Sequence, residues 1–204
     1  MYDNDCELKY NCQKKCLTCN RTNKSHEKIM HLMKNAREIK GIKKIFIRSG
    51  VRYDLAIENK KYIEEISKHH ISGSLKIAPE HNNPKVLELM NKNFCSKLKE
   101  FVDYYTQINK DKKQGLAYYY MIGHPGETIE TVNKLKIEMN ILKVEGFQLF
   151  TPTPMSNSTA MYYTGFDMDY KPIKVIYDYK TKKQIKRIIL NDENIDEKGE
   201  GRLL

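Results

Sequence analysis

Residues 116–126 have the sequence LAYYYMIGHPG, in which seven apolar or aromatic residues are followed by a His-Pro pair flanked by two glycines. A short apolar run rich in aromatics is typical of a buried β-strand, and glycine with proline marks a turn. Apolar residues then recur at helical spacing over 128–145, and Gly146 suits the position just after a helix. The stretch therefore predicts a strand, a turn and a helix, which together form one βα unit.

The same alternation of strand and helix continues on both sides of this unit. Short apolar runs predict three further strands, at 43–48, 74–78 and 147–150. Helical spacing of apolar residues predicts helices at 25–40, 59–69, 84–90, 96–109 and 181–190. The remaining segments are predicted as loops at 49–56 and 151–166 and as extended chain at 174–179.

Strands that alternate with helices at intervals of roughly 30–45 residues are typical of parallel βα units. A complete eight-unit barrel usually takes about 250 residues, whereas this chain has 204. The predicted fold class is therefore α/β, a partial (β/α) barrel of parallel strands with about four βα units. We expect a cysteine-rich metal-binding loop at 1–24, the partial barrel at 25–190 and a disordered tail at 191–204.

The composition excludes several classes of protein. Hydrophobic residues make up 40% of the chain, which is too many for a disordered protein, and 10 Gly with 6 Pro exclude a collagen-like one. The longest apolar runs are far shorter than the ~20 residues of a membrane-spanning helix. Residues 1–12 are too polar for a signal peptide. We therefore expect a cytoplasmic protein without a membrane partner.

The formal net charge is +10, from 36 Lys+Arg against 26 Asp+Glu, and the cations are spread along the whole chain. A lysine-rich chain of this kind has two interpretations, an ordinary solvated surface or a surface that contacts a polyanion such as nucleic acid. The charge alone leaves both open.

Four of the five cysteines, Cys6, Cys12, Cys16 and Cys19, fall within the first 19 residues, and Cys95 stands alone. In a cytosolic chain, thiols clustered this closely predict a metal site more than disulfides. The C-x₃-C-x₂-C spacing from Cys12 to Cys19 suits iron–sulfur ligation, and zinc is the alternative.

Polar, Gly or Pro residues follow each predicted strand, at the end where parallel sheets carry their chemistry. Ser49 follows the first strand, Glu80 the second, and His124 with Gly126 the third. For Glu80 the alternative is helix capping, and for His124 and Gly126 it is a tight turn. Lys76 lies within the second strand, so its ammonium reaches into a barrel lumen or the strand is exposed.

Three stretches resemble the YgiQ-type radical SAM proteins: GIKKIFIRSGVRYD at 41–54, GSLKIAPEHNNPKVLELMNK at 73–92 and FTPTPMSNSTAMYYTGF at 150–166. HPGET at 124–128 also resembles a segment that follows a late barrel strand in radical SAM enzymes. The resemblance covers residues 1–190 and implies the C-terminal half of a radical SAM barrel.

The resemblance also implies an enzyme with a [4Fe-4S] cluster and S-adenosylmethionine (SAM). In that chemistry the reduced cluster passes an electron to the sulfonium, and a 5′-deoxyadenosyl radical abstracts hydrogen from a substrate. Carried onto this chain, it makes Ser49, Lys76, Glu80, His124 and Gly126 candidates for cofactor binding. It identifies neither the substrate nor the catalytic residues.

The cysteines depart from the family pattern. Cys12, Cys16 and Cys19 have the superfamily spacing, but no predicted strand precedes them and the expected Gly-Gly-Glu segment is missing. Residues 1–6, MYDNDC, resemble a family stretch downstream of the cluster motif. The cysteines are therefore interpreted as an auxiliary metal site, as the SAM-binding cluster, or as free thiols.

Two other functions stay open. One is a small basic metal-binding module on a half-barrel scaffold, which binds nucleic acid or a partner protein without SAM chemistry. The other is an inactive remnant. If the chain is a half-barrel, the edge at 43–48 would pair with an upstream half-barrel or a second copy, and the chain alone would not cleave SAM.

Overall fold

The structure is a computed structural model that describes residues 23–92, 95–142, 144 and 146–190. The predicted cysteine-rich loop, apart from residues 23 and 24, and the predicted tail at 191–204 lie outside these residues. In chain order, the elements are α1 (Glu27–Glu38), α2 (Tyr53–Ala56), α3 (Lys60–His69), β1 (Ser74–Glu80), α4 (Pro84–Leu89), α5 (Cys95–Asn109), β2 (Gly115–Ile122), α6 (Ile129–Leu142), β3 (Gly146–Leu149), α7 (Asn157–Thr164) and α8 (Tyr179–Leu190).

The three strands form one sheet in the order β1-β2-β3. β2 and β3 are parallel, with Tyr119 opposite Gly146 and Ile122 opposite Leu149, and α6 makes the crossover between them. The predicted α/β class is therefore confirmed. The described residues contain three strands, so the prediction of about four units is not confirmed.

The predicted first strand, at 43–48, is wrong, because this segment does not form a ladder with β1. The side chain of His70 forms a hydrogen bond with the carbonyl of Ile45, in which Nδ1 and O are 2.9 Å apart. The N–H of Ile47 donates to the carbonyl of His70. A single parallel bridge to β1 forms further along, where Val51 pairs with Ile77. The apolar run is extended, but only one residue beyond it reaches the sheet.

Two predicted loops contain helices. Residues 49–56 include the short helix α2, and residues 151–166 include α7. Ser156 caps α7 by accepting a hydrogen bond from the N–H of Thr159, and Gly165 ends the helix at φ 73°. The predicted extended segment at 174–179 contains no strand, and α8 begins at its last residue.

The described chain divides into two compact units. The first contains residues 23–79 and 95–118, and the second contains residues 80–92 with those from 119 onward. In the first unit, α3 and α5 pack on one face of β1. The core there includes Ile63, Ile66, Leu75, Ile77, Phe101 and Tyr105.

Burial alternates along β1, because every second side chain faces the helices. Leu75, Ile77 and Pro79 are buried, while Lys76 is exposed on the opposite face, which also carries Glu80. In a barrel this face, opposite the helices, would line the lumen, so both alternatives for Lys76 stay open.

In the second unit, α6 and α8 pack together. The buried side chains of this unit include Tyr120, Ile122, Val132, Leu135, Met139, Met161, Ile185 and Ile189. Burying an aliphatic side chain completely contributes about 1.5–3 kcal/mol, so these residues account for much of the unit's stability. No described helix has the length and apolar character needed to cross a membrane.

Candidate functional site

Glu80 ends β1 in an unusual backbone conformation. Its φ is +69°, in the left-handed region, which costs a non-glycine residue about 1–2 kcal/mol. Its Oε1 lies 2.9 Å from Nζ of Lys92, and the two side chains are mostly buried. Its Oε2 is buried, with no hydrogen-bond partner in the described part of the chain. A residue with a strained backbone and one unsatisfied carboxylate oxygen, at the end of a strand, is a candidate ligand contact.

Polar side chains from the neighbouring strands lie close to Glu80. The hydroxyl of Tyr119, on β2, donates to Oε1 of Gln148, on β3. The pKa of Tyr119 lies above its usual value, mainly because the side chain is partly buried and to a smaller extent because of the negative charge of Glu80. This part of the sheet therefore presents a carboxylate, a phenol and an amide rather than an apolar surface. Such a surface suits a ligand that both donates and accepts hydrogen bonds.

The residue after Glu80 belongs to a buried hydrogen-bond network. Nδ1 of His81 accepts from the backbone N–H groups of Asn82 and Asn83, so the ring proton must be on Nε2. That Nε2–H donates to Oε1 of Glu127 over 2.8 Å. Oε2 of Glu127 accepts from the N–H of Gly123. The network therefore ties the segment after β1 to the turn after β2.

His124 forms a second polar pair in the same turn. Its Nδ1–H donates to the carbonyl of Pro125 over 2.8 Å, which leaves Nε2 to accept from the hydroxyl of Ser158, also over 2.8 Å. Burial, with a smaller contribution from nearby His81, lowers the pKa of His124 to about 4, although the bond to Pro125 raises it. His124 is therefore neutral at pH 7 and anchors the first turn of α7, rather than exchanging protons with solvent.

Gly126 serves the geometry of the turn. Its φ is +88°, and a Cβ there would lie 2.2 Å from Cδ1 of Leu89. Its N–H donates to the carbonyl of Lys174 over 2.7 Å. The N–H of Glu127 donates to the carbonyl of His124, and that of Thr128 donates to Thr131. These N–H groups are used within the chain, as a tight turn requires.

Ser49 lies in the first unit, in an open cavity of about 280 Å³. His26 stacks on Tyr62 in the wall of this cavity, with ring centroids 4.3 Å apart. Arg52, which also lines the cavity, makes two hydrogen bonds to Asp54 over 3.1 and 2.7 Å. The positive charge beside Ser49 is therefore already paired with a carboxylate.

The predicted site residues thus divide between the units. Glu80, His124 and Gly126 belong to the second unit, while Ser49 and Lys76 belong to the first. The predicted metal ligands Cys6, Cys12, Cys16 and Cys19 lie outside the described residues. Within those residues, no three His, Cys, Asp or Glu side chains are placed to hold a metal ion.

The predicted site residues did not include Glu127, Ser158, Tyr119, Gln148 or Lys92. A carboxylate directly after Gly126 at the start of a helix is most simply a helix-terminus residue, so its burial against His81 was not expected. The available signal for Glu127 was the HPGET segment at 124–128, because the segment that resembles the family includes this residue.

No protein-family model matches the chain. It is 39% identical over 206 residues to a UPF0313 protein of Methanosarcina mazei, covering 95% of this chain and 33% of that protein. It is 41% identical over 183 residues to a UPF0313 protein of Fusobacterium nucleatum, covering 82% and 32%. It is also 41% identical over 152 residues to UPF0313 protein YgiQ of Escherichia coli, covering 72% and 20%.

The chain spans a third or less of the length of these curated relatives. The similarity nevertheless covers most of this chain in each comparison, which confirms the predicted resemblance. The chain belongs to the UPF0313 family, of which YgiQ is a member.

Proposed function

We propose that this chain is the C-terminal, SAM-binding portion of an iron–sulfur radical enzyme, with an unknown substrate. Glu80 carries this proposal. It lies in the stretch at 73–92 that resembles radical SAM proteins, and its buried Oε2 lacks a hydrogen-bond donor within the described residues. The left-handed backbone at Glu80 supports the same proposal, because strain of this kind concentrates at functional sites.

The residues around Glu80 suit the hydrogen-bonding groups of SAM. Its ribose hydroxyls and its ammonium group are donors that would satisfy Oε2 of Glu80, while Lys92 holds Oε1 in place. Tyr119 and Gln148 add polar groups beside it. When bound, an iron–sulfur cluster and SAM supply the one-electron chemistry that starts a radical reaction. The task of this chain's residues is to bind and orient the ligand.

The metal part of the proposal rests on the spacing of Cys12, Cys16 and Cys19, with Cys6 as a further ligand. Three thiolates at this spacing are suitable ligands for an iron–sulfur cluster, and zinc is the alternative metal. The test is anaerobic purification of the full chain, followed by iron, sulfide and zinc analysis. We expect iron and sulfide, lost in a triple Cys→Ser variant and retained in Cys95→Ser. Equal metal content in both variants would contradict the assignment.

SAM binding is tested separately, by equilibrium dialysis with radiolabelled SAM under anaerobic conditions. Removing a hydrogen bond to a charged group typically costs about 1.5–3 kcal/mol, so Glu80→Ala should weaken binding at least about tenfold. Glu130→Ala is the matched control, because Glu130 is an exposed carboxylate on α6. Equal SAM affinity in the wild type and in Glu80→Ala would show that Glu80 is not a SAM contact.

A further inference from the structure

Exposed aromatic side chains are concentrated in one part of the second unit. Of the seven exposed aromatic residues in the described part of the chain, five lie within 163–179. They include Tyr163, Tyr170 and Tyr179, which are 73%, 88% and 79% exposed. Large aromatic residues usually bury much of their surface, so a cluster this exposed indicates an interaction surface.

The fold holds this part of the chain in a defined arrangement around Tyr162. The ring of Tyr162 contacts the rings of Tyr163 and Tyr177, with centroids 5.4 and 5.1 Å apart. Tyr177 donates its hydroxyl hydrogen to the carbonyl of Tyr162 over 2.5 Å, and Lys182 donates to the Tyr162 hydroxyl over 2.7 Å. The end of α7, the chain before α8 and the first turn of α8 are therefore joined at one residue.

A short hairpin lies between these elements and presents Tyr170. The N–H of Asp167 donates to the carbonyl of Lys171, and the N–H of Ile173 donates to the carbonyl of Gly165, each over 2.9 Å. The ring of Tyr170 makes no aromatic contact with the described residues. Because Tyr170 is 88% exposed, it projects from a braced turn and offers most of its ring to a partner.

The same region is strongly basic. Residues 162–190 contain seven Lys and Arg against three Asp and no Glu. Oδ1 of Asp167 already accepts the N–H groups of Asp169 and Lys171, and Oδ1 of Asp178 accepts that of Thr181. Lys171, Lys174 and Lys180 are exposed and form no ion pair with described residues.

We propose that this aromatic–basic surface, formed by Tyr163, Tyr170, Tyr177 and Tyr179 with Lys171, Lys174 and Lys180, binds single-stranded nucleic acid. Unpaired bases stack on exposed aromatic rings, and lysines neutralise the phosphates between them. An acidic peptide would use the lysines but leave the ring faces uncovered. A single strand supplies both the negative charge and the flat faces that these residues match. The inference does not depend on SAM chemistry.

The test uses the full chain and a fluorescein-labelled oligouridylate of about a dozen nucleotides, with binding followed by fluorescence anisotropy. Stacking contributes enough per base that Tyr170→Ala and Tyr179→Ala should each weaken binding about fivefold or more. Phenylalanine at either position keeps the stacking face, so Tyr170→Phe and Tyr179→Phe should bind nearly as the wild type does. These conservative variants also separate lost stacking from lost folding.

The lysines are tested through the salt dependence of binding. Each phosphate contact on a single strand contributes about −0.7 to the slope of log K against log salt, so Lys171→Gln with Lys180→Gln should reduce its magnitude by about 1.4. The matched control is Lys61→Gln with Lys68→Gln, which removes the same charge from exposed positions on α3. The control should leave the slope almost unchanged.

Several results would overturn the proposal. One is no binding of the oligonucleotide, and another is equal weakening by the alanine and phenylalanine variants. Equal loss of slope in both lysine pairs would indicate attraction by net charge alone. Tighter binding to phosphatidylserine vesicles than to the oligonucleotide would assign the surface to a membrane instead.

Discussion

Nε2 of His81 and Oε1 of Glu127 are joined by a 2.8 Å hydrogen bond between two fully buried side chains. Every polar atom of this pair has a partner, because Nδ1 of His81 and Oε2 of Glu127 both accept backbone N–H groups. Buried networks that are fully satisfied hold their members in one arrangement. The pair therefore fixes the chain that leaves β1 directly beside Glu80.

Glu127→Ala should destabilise the protein, since it leaves the Nε2–H of His81 and the N–H of Gly123 buried without acceptors. A buried donor left without an acceptor costs about 1–3 kcal/mol, and we expect the free energy of unfolding to fall by at least this amount. Urea unfolding followed by circular dichroism measures it. Glu130→Ala, on an exposed surface, should leave the unfolding midpoint unchanged. Equal midpoints for all three proteins would mean that the network contributes nothing.

The lowered pKa of His124 predicts a pH dependence of stability. Burial lowers its pKa from 6.5 to about 4, so between these values the unfolded chain binds a proton that the folded chain does not. His124 therefore contributes no penalty above pH 6.5, and stability falls as pH drops from 6.5 towards 4. At pH 5 the loss relative to pH 8 should be about 2 kcal/mol.

Other groups titrate over the same interval, so the measurement compares the wild type with His124→Gln. The fall in free energy of unfolding between pH 8 and pH 5 should be about 2 kcal/mol smaller in the variant. If the two proteins lose the same amount, His124 does not have a lowered pKa in the folded state.

Gly126→Ala tests whether the turn after β2 requires glycine. A left-handed backbone costs alanine about 1–2 kcal/mol, and the rotation of Leu89 away from the new Cβ costs about 0.5–1.5 kcal/mol more. Gly41→Ala is the matched control, because its φ is +94° but nothing lies within 4 Å of its Cβ position. Gly126→Ala should have a lower melting temperature than Gly41→Ala. The reverse order would exclude the contact with Leu89.

Elements with local signals could be predicted from the sequence. Asn59 and Asn83 begin α3 and α4 as expected, because their side chains accept backbone N–H groups within the next three residues. The segment at 43–48 has an equally clear apolar pattern but forms no strand. Whether it forms a strand depends on His70, which is 25 residues away from Ile45. The side chain of His70 forms a hydrogen bond with the carbonyl of Ile45 that a strand ladder would need. Nothing in the pattern of the segment itself contains that information.

The same distinction between local signals and long-range contacts applies to the candidate site. Glu80 was expected at the end of a strand, because position along the chain determines strand ends in a parallel sheet. Its positive φ and its unsatisfied oxygen depend on the folded surroundings, including the position of Lys92. The burial of Glu127 depends on His81, 46 residues earlier. Long-range contacts of this kind leave no periodic trace in the sequence.

The backbone strain at Glu80 predicts that its glycine variant is more stable than its alanine variant, which reverses the usual order in a strand. Glycine is usually less stable than alanine in a strand by about 0.5–1 kcal/mol, but at a left-handed residue it avoids the cost of a Cβ. Glu80→Gly should therefore be more stable than Glu80→Ala by about 1 kcal/mol. Lys76, in the same strand, has an ordinary backbone, so Lys76→Ala should be more stable than Lys76→Gly. The same order at both positions would show that Glu80 is not strained.

The extended segment at 43–48 should cause self-association. Within the described chain, the N–H groups of Lys44, Ile45 and Phe46 donate to no partner, and Phe46 is 42% exposed. An extended segment with unpaired N–H groups and an exposed ring can pair with a second copy. Because the net charge is +10, repulsion opposes this pairing, and salt screens the repulsion.

Light scattering after size exclusion should therefore show a larger mass at about 0.5 M salt than at about 0.05 M, since the Debye length falls several-fold across that range. Phe46→Lys should keep the chain monomeric at both concentrations, because it removes the exposed ring from the pairing segment and adds a charge there. Ile141→Lys makes the same kind of change at a 74% exposed position on α6 and should leave the association intact. Association that both variants abolish would be controlled by the overall charge rather than by this segment, and a monomer at every salt concentration would show that the segment pairs with nothing.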